Sequence, residues 1–342
     1  MSDLQGLFVK KIFIVLSAGL VLFTSACKKE TEGDTEIPQG NPEQTVLTVN
    51  GIPVTEDQTD GKLGAYLFYN PYATEDQIRG ARKSIALSVA ESILIDEKME
   101  KEGLVLSDEE KLLAGKYLEF FYKDIVWIKK NAEYKNIPVE EMYKDNLLEY
   151  KKMKILSVQP DIEKPTENEL NRFIEENRSI YGEKPERKTV YQILVRYEGE
   201  DPSSSEAAVR KLEKAREELE KGKDFRTVAK KYSDLDPEES ASFLGVLWKD
   251  CLYYGEAVAE TVWALNPGEY SAVYSGEPGS CSVFFVEDIL PEEKLPEPEL
   301  RQWAELLLIL QKNEIRYHLL FEDLFKEAEV TYSLEYDAVP GV

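Results

Sequence analysis

Histidine and cysteine are scarce in this chain: one histidine, His318, and three cysteines in 342 residues. A single histidine excludes histidine-rich metal sites. No glycine-rich phosphate loop and no metal-ligand spacing occur, so neither a cofactor nor a metal is expected. Basic residues are outnumbered, with 42 Lys and Arg against 66 Asp and Glu, for a formal net charge of −24. Phosphate binding needs a basic surface, so a nucleic-acid partner is excluded. The acidity serves solubility, or selects a partner by charge. Long apolar runs are also missing, except for one. Ile12 to Ala26 spans about 15 residues, short of the roughly 20 that a membrane-spanning helix needs.

That run has the form of an export signal. Lys10 and Lys11 precede it, and the small residues Ser25 and Ala26 end it, directly before Cys27. Phe23-Thr-Ser-Ala-Cys27 resembles a bacterial lipobox, with Thr24 where Leu is more usual. The resemblance implies that residues 1–26 are removed and that Cys27 is lipidated and becomes the mature N-terminus. Removal takes away Asp3, Lys10 and Lys11 and leaves about −25. Residues 27–44 then read as a flexible tether, because their polar, Pro- and Gly-bearing composition buries too little surface to offset ordering entropy. Lys28, rather than Asp, follows the cysteine. In organisms that sort lipoproteins by that residue, this implies an outer-membrane location facing the periplasm, with the cell surface as the other possibility.

The mature chain is long enough for two or three compact units. Thr45 to Val54 reads as a hairpin around Asn50-Gly51, the pair a type I′ turn favours. A helical lobe follows, 45–186. Thr74 with Gln77, Ser107 with Glu110, and Thr166 with Glu169 are capping-box pairs, and Pro138 opens a further helix to about Ser157. The second of these helices carries Tyr117, Phe121, Ile125 and Ile128 on one face. Arg187 begins a different texture. Strands are expected at Thr189–Tyr197, Phe243–Trp248 and Ser282–Leu290. Helices are expected at Ser205–Glu220, Phe225–Tyr232 and Ala257–Leu265. Beyond a proline cluster at 291–298, one long helix (299–328) and a closing strand (330–336) complete the chain. The expected class is α+β, mostly helical, with an inserted α+β module at 187–290 and a C-terminal segment, 291–342, packing on the first lobe.

The module resembles a parvulin. Gln192-Ile-Leu-Val195 stands for the family's His-Ile-Leu-Val, and Gly222-Lys-Asp-Phe225 through Ala229 and Tyr232-Ser233 follow the family pattern. Ser242-Phe-Leu-Gly245 replaces Gly-Asp-Leu-Gly, Ala264-Leu265-Asn-Pro-Gly268 is close to the stretch that follows in the family, where Glu269 and Ser271 match its Gly-Glu-x-Ser, and Gly279 to Val283 stands where Gly-Tyr-His-Ile-Ile ends the family. Val49-Asn-Gly-Ile-Pro-Val-Thr55 and the flanking helices resemble the SurA/PrsA folding factors. The resemblance implies peptidyl-prolyl isomerase chemistry on unfolded or proline-containing polypeptide clients, with membrane contact through the lipid. It leaves the oligomeric state open.

Parvulins place two histidines and an Asp or Cys around the twisting amide. Here the first histidine position is Gln192, the second is Cys281 or Ser282, and the third is near Leu235, with Asp236 as an alternative carboxylate. The proline-pocket positions are Leu244, Leu252, Tyr254 and Val258. The substitutions imply a folding factor acting mainly as a chaperone. The alternatives are an isomerase using non-standard groups, or a structural subunit of an envelope complex. Tyr117, Phe120, Phe121, Tyr122 and Trp127 are candidate client-cleft residues, or plain core. An oxidising compartment permits a bridge between Cys251 and Cys281, which the parvulin plan puts near one cleft. His318 is expected to pack or lie at the surface.

Overall fold

The computed structural model describes residues 39–70, 72–131, 138–197, 202–235, 242–249, 254–275 and 279–337. Cys27, Asp236, Cys251 and Leu252 lie outside them.

β1 (Thr45–Val49) and β2 (Ile52–Thr55) form the N-terminal hairpin. Asn50 and Gly51 take φ values of 49° and 78°, the two positive values that a type I′ turn requires. Two helices follow, α1 (Asp60–Tyr69) and α2 (Glu75–Lys101). Thr74 Oγ1 accepts from Gln77 N while Gln77 Oε1 accepts from Thr74 N, so the capping box closes in both directions. α1 has no counterpart in the sequence reading, since Gly61 and Gly64 weaken its helical signal. The helix expected from Ser107 through Ile128 is two helices, α3 (Asp108–Phe121), of which residues up to Leu118 pack in the first unit, and α4 (Ile125–Lys130), which packs in the second. α5 (Val139–Ser157) and α6 (Glu167–Tyr181) come next.

The α+β module starts with β3 (Glu183–Lys184) and β4 (Arg187–Arg196). It continues through α7 (Pro202–Glu220), α8 (Phe225–Tyr232), β5 (Phe243–Trp248), α9 (Glu256–Trp263), β6 (Ser280–Leu290) and β7 (Glu293–Lys294). The chain closes with α10 (Glu297–Lys312), α11 (Glu314–Glu327) and β8 (Val330–Tyr332). The single long C-terminal helix expected from sequence is therefore broken at Asn313. Asn313 Oδ1 accepts from Glu163 N, and Asn313 Nδ2 donates to Glu163 O, both at 2.9 Å. Those bonds hold Asn313 at φ −123°, ψ 29°, outside helical geometry. The closing strand stops at Tyr332, and Leu334–Asp337 is a helical turn.

Packing divides the chain into two units. The first draws on residues up to Leu118, Asn136–Glu175 and Pro298 onward; the second on Glu119–Lys135 and Glu176–Glu297. In the first, β1 is the centre of an antiparallel sheet ordered β2-β1-β8. Ala86, Ala90 and Leu94 of α2 pack against its Val46, Leu47, Val49 and Val54. The small alanines let helix and sheet approach closely. Trp303 of α10 stacks on Tyr117 of α3 at 4.3 Å between ring centroids. Tyr117 Oη donates to the Glu299 carbonyl at 2.8 Å, and Gln302 Nε2 donates to Tyr150 Oη at 3.0 Å. Lys152 is buried, but donates to Glu91 and Glu149 at 2.9 Å each, which is the pairing a buried charge needs. His318 is exposed on α11, edge-on to the buried Tyr317.

In the second unit, the antiparallel sheet is ordered β5-β4-β6. Tyr191, Ile193, Val195, Cys281 and Val283 pack on α7 and α8 through Ala208, Leu212, Ala215, Phe225 and Val228. Val190, Phe284 and Val286 form a second cluster with Val258 and Val262 of α9. The two clusters use alternate residues of the same strands, so they lie on opposite faces of the sheet. The candidate cleft aromatics are packed: Tyr117 and Phe120 are buried, and Phe121 stacks on Tyr181 at 6.2 Å.

Candidate functional site

The antiparallel register decides which candidate residues meet. Gln192 is opposite Phe284, Leu194 opposite Ser282, and Val195 opposite Cys281. Residues directly opposite share a face, so Gln192, Leu194, Ser282 and Phe284 look toward α9. Cys281 looks the other way, into the α7–α8 core, where it is 1% exposed and its thiol is free. Burial pushes that thiol's pKa up, which makes it a small apolar packing group rather than a nucleophile. Of the two candidates for the second polar position, Ser282 therefore stands with Gln192 and Cys281 does not. The residue expected to bridge to Cys281, Cys251, lies outside the described residues.

A β-bulge builds the other side of the site. Val190 is opposite Gly245 and Tyr191 opposite Phe243, which leaves Leu244 as the extra residue. Leu244 thereby joins Leu247, Tyr254, Val258 and Val262 over Phe284. Tyr254 Oη donates to the Leu244 carbonyl at 2.6 Å. A Cβ on Gly245 would stand 3.3 Å from that hydroxyl oxygen, so glycine makes room for the ring. Three of the four proline-pocket candidates, Leu244, Tyr254 and Val258, are thus brought together; the fourth, Leu252, is not among the described residues. Tyr274 joins the same cluster, and it exchanges both backbone hydrogen bonds with Ser282, at 2.7 and 2.8 Å. Sequence reasoning missed Tyr274 because an isolated bridge has no alternating pattern.

The Gln192 amide N–H donates to the Ser242 carbonyl at 2.7 Å, and its side chain is half-buried with no hydrogen bond among the described residues. Leu235 lies alongside the end of β4. Asp234 N donates to Leu194 O at 2.7 Å, and the Leu235 amide to Ser233 Oγ at 3.3 Å. The Asp234 carboxylate is taken up by Arg196 N and Lys211 Nζ, at 2.8 and 2.6 Å. Asp236 is outside the described residues. The α9 face therefore presents, at the candidate positions, the Gln192 amide and the Ser282 hydroxyl amid apolar side chains, with the Tyr254 hydroxyl committed to the Leu244 carbonyl. It can surround an apolar group and offer a hydrogen bond; among the described candidates none is an imidazole or a charged group. A separate cavity of about 390 Å³, lined by Tyr197, Val209, Arg210, Ser275 and Cys281 among others, lies on the opposite side of the sheet. Among the described residues no group of His, Cys, Asp and Glu is arranged to hold a metal ion, and no helix is long and apolar enough to cross a membrane.

Residues 165–302 match the family of PPIC-type peptidyl-prolyl isomerase (PPIase) domains, the parvulin class, over well under half of the chain. The chain is similar to a structure from Campylobacter jejuni described with PEB4 and Cj1289 as SurA-like chaperones. The identity is 19%, covering 84% of this chain and 100% of that one, with a TM-score of 0.33. It is also similar to PrsA from Bacillus subtilis (16% identity, 87% and 94% covered, TM-score 0.25). PrsA from Bacillus cereus, described as a peptidylprolyl isomerase, is a third such structure (18% identity, 86% and 95% covered, TM-score 0.25). No curated protein matches the sequence.

Proposed function

We propose that this chain, which carries a parvulin-type PPIase domain in a SurA/PrsA-like plan, is a lipid-anchored folding factor of the bacterial envelope. It acts mainly as a chaperone for unfolded or proline-containing polypeptides. One observation carries the reading: Gln192 and Ser282, not histidines, share the face where the parvulin resemblance puts its polar pair. A module kept in the isomerase fold without its imidazoles retains a use for binding. The signal-like residues 1–26, Cys27 and the polar stretch to Gln44 support export and anchoring. We assign client binding to the α+β module.

The chaperone reading is tested by aggregation suppression. The mature chain should suppress light scattering of a refolding client in a dose-dependent way. No suppression at a tenfold molar excess contradicts the reading. Anchoring is tested separately. Mass spectrometry of the chain purified from membranes should find Cys27 as a diacylated N-terminus, and cleavage elsewhere or an unmodified Cys27 contradicts the anchor. A second reading, an isomerase using Gln192, is favoured by the half-buried side-chain amide of that residue, which has no hydrogen bond among the described residues.

A further inference from the structure

Residues 119–131 precede β4 by more than fifty positions, yet they pack with the sheet of the second unit. Three sets of contacts hold them. Lys123 Nζ donates to the carbonyls of Ser179 and Ile180, at 3.2 and 3.3 Å, and of Glu183 at 2.7 Å. The first two are orphan acceptors at the end of α6, and a cation there is favoured by the helix dipole. Arg187, at the start of β4, donates to the Lys123 carbonyl at 2.6 Å and to Glu293 at 2.7 Å. Lys184 completes the cluster, donating to Glu293 at 3.2 Å and lying 4.6 Å above the Phe120 ring. Burial, with Arg187 and Lys184 nearby, pulls the Lys123 pKa down to about 8. Lastly, the Trp127 ring stacks on Phe243 at 4.0 Å and 14°, and meets Tyr191 edge-on at 6.5 Å.

The last contact falls where β5 is weakest. β5 is an edge strand of six residues, and the bulge at Leu244 interrupts its ladder one residue after Phe243. Short, bulged edges open at lower free energy than central strands. Phe243 also lies between Ser242, whose carbonyl accepts the Gln192 amide, and Leu244 of the apolar cluster. We propose that residues 119–131 are a strap, fastened by the Lys123–Arg187–Glu293 cluster, that seats Trp127 on Phe243 and thereby controls opening of the Ser242–Leu244 edge. With the strap seated, that edge is held on β4 and the Gln192–Leu244 face stays closed. With the strap released, Ser242 to Leu244 leave Gln192 and the face opens to an extended polypeptide. The strap goes beyond the functional reading, and its test does not depend on what the face binds.

The test is amide hydrogen exchange by mass spectrometry on the full mature chain. Trp127→Ala and Lys123→Met should each speed exchange at least tenfold in peptides covering Gln192 and Phe243–Trp248, with β1 and β2 unchanged. Trp127→Phe, which keeps a stacking ring, should restore most of the protection. Wild-type exchange of those peptides in both variants overturns the proposal. So does equal acceleration across β4, β6 and α8, because residues 119–131 would then be ordinary core whose loss unfolds the whole module.

Discussion

Trp303→Ala should lower the unfolding free energy of the first unit by about 3–5 kcal/mol, the usual cost of emptying a buried tryptophan site. Trp303 is 2% exposed and stacks on Tyr117, which is 1% exposed. The two residues are far apart in sequence; two further contacts join the same two helices, and a third ties α10 to α5. Lys116 pairs with Glu299, Tyr117 Oη bonds the Glu299 carbonyl, and Gln302 bonds Tyr150. Removing the indole leaves a cavity bordered by Tyr117, whose rigid ring fills it poorly. The loss is therefore expected at the upper end of the range. Urea denaturation followed by far-UV circular dichroism measures it. A shift below about 1 kcal/mol, the size of an ordinary surface substitution, means that α10 is not part of that core.

Local signals made most of the elements readable. The Asn50-Gly51 turn and the three capping boxes act over two to four residues, and each is found where the sequence put it. Phe225–Tyr232 and Phe243–Trp248 agree to the residue. The misses come from distant contacts. The break at Asn313 depends on Glu163, 150 residues earlier. The break between α3 and α4 reflects a change of packing partner, with Tyr117 against Trp303 and Trp127 against Phe243. Neither partner is visible in a window of one helix.

The candidate site shows the same division. The strands carrying Gln192 and Cys281/Ser282 were legible, but their register was not. A slip of one residue exchanges the two faces of a strand, and so exchanges Cys281 for Ser282. The bulge at Leu244 is equally silent in sequence, because it follows from how β5 meets β4.

The largest expected effect concerns catalysis. Prolyl bonds isomerise unaided in tens of seconds, since rotation breaks amide resonance. A catalyst must surround the proline ring and stabilise the twisted amide with preorganised polar groups. Leu244, Tyr254, Val258 and Phe284 supply apolar surface, while Gln192 and Ser282 supply one amide and one hydroxyl. Losing a preorganised donor costs roughly a hundred- to a thousandfold in rate. The parvulin resemblance puts Gln192 and Cys281 or Ser282 at its two histidine positions, and Cys281 is turned into the opposite core. The mature chain should therefore isomerise proline peptides at least a hundredfold more slowly, in kcat/KM, than a parvulin with both histidines. Gln192→Ala should leave even that residual rate unchanged.

The most direct measurement of the central claim is this isomerisation rate, taken on the same preparation that suppresses client aggregation. The expected result is strong suppression beside a rate at least a hundredfold below that of an intact parvulin. A rate within tenfold of the intact enzyme, lost on Gln192→Ala, would contradict it and make Gln192 a catalytic residue.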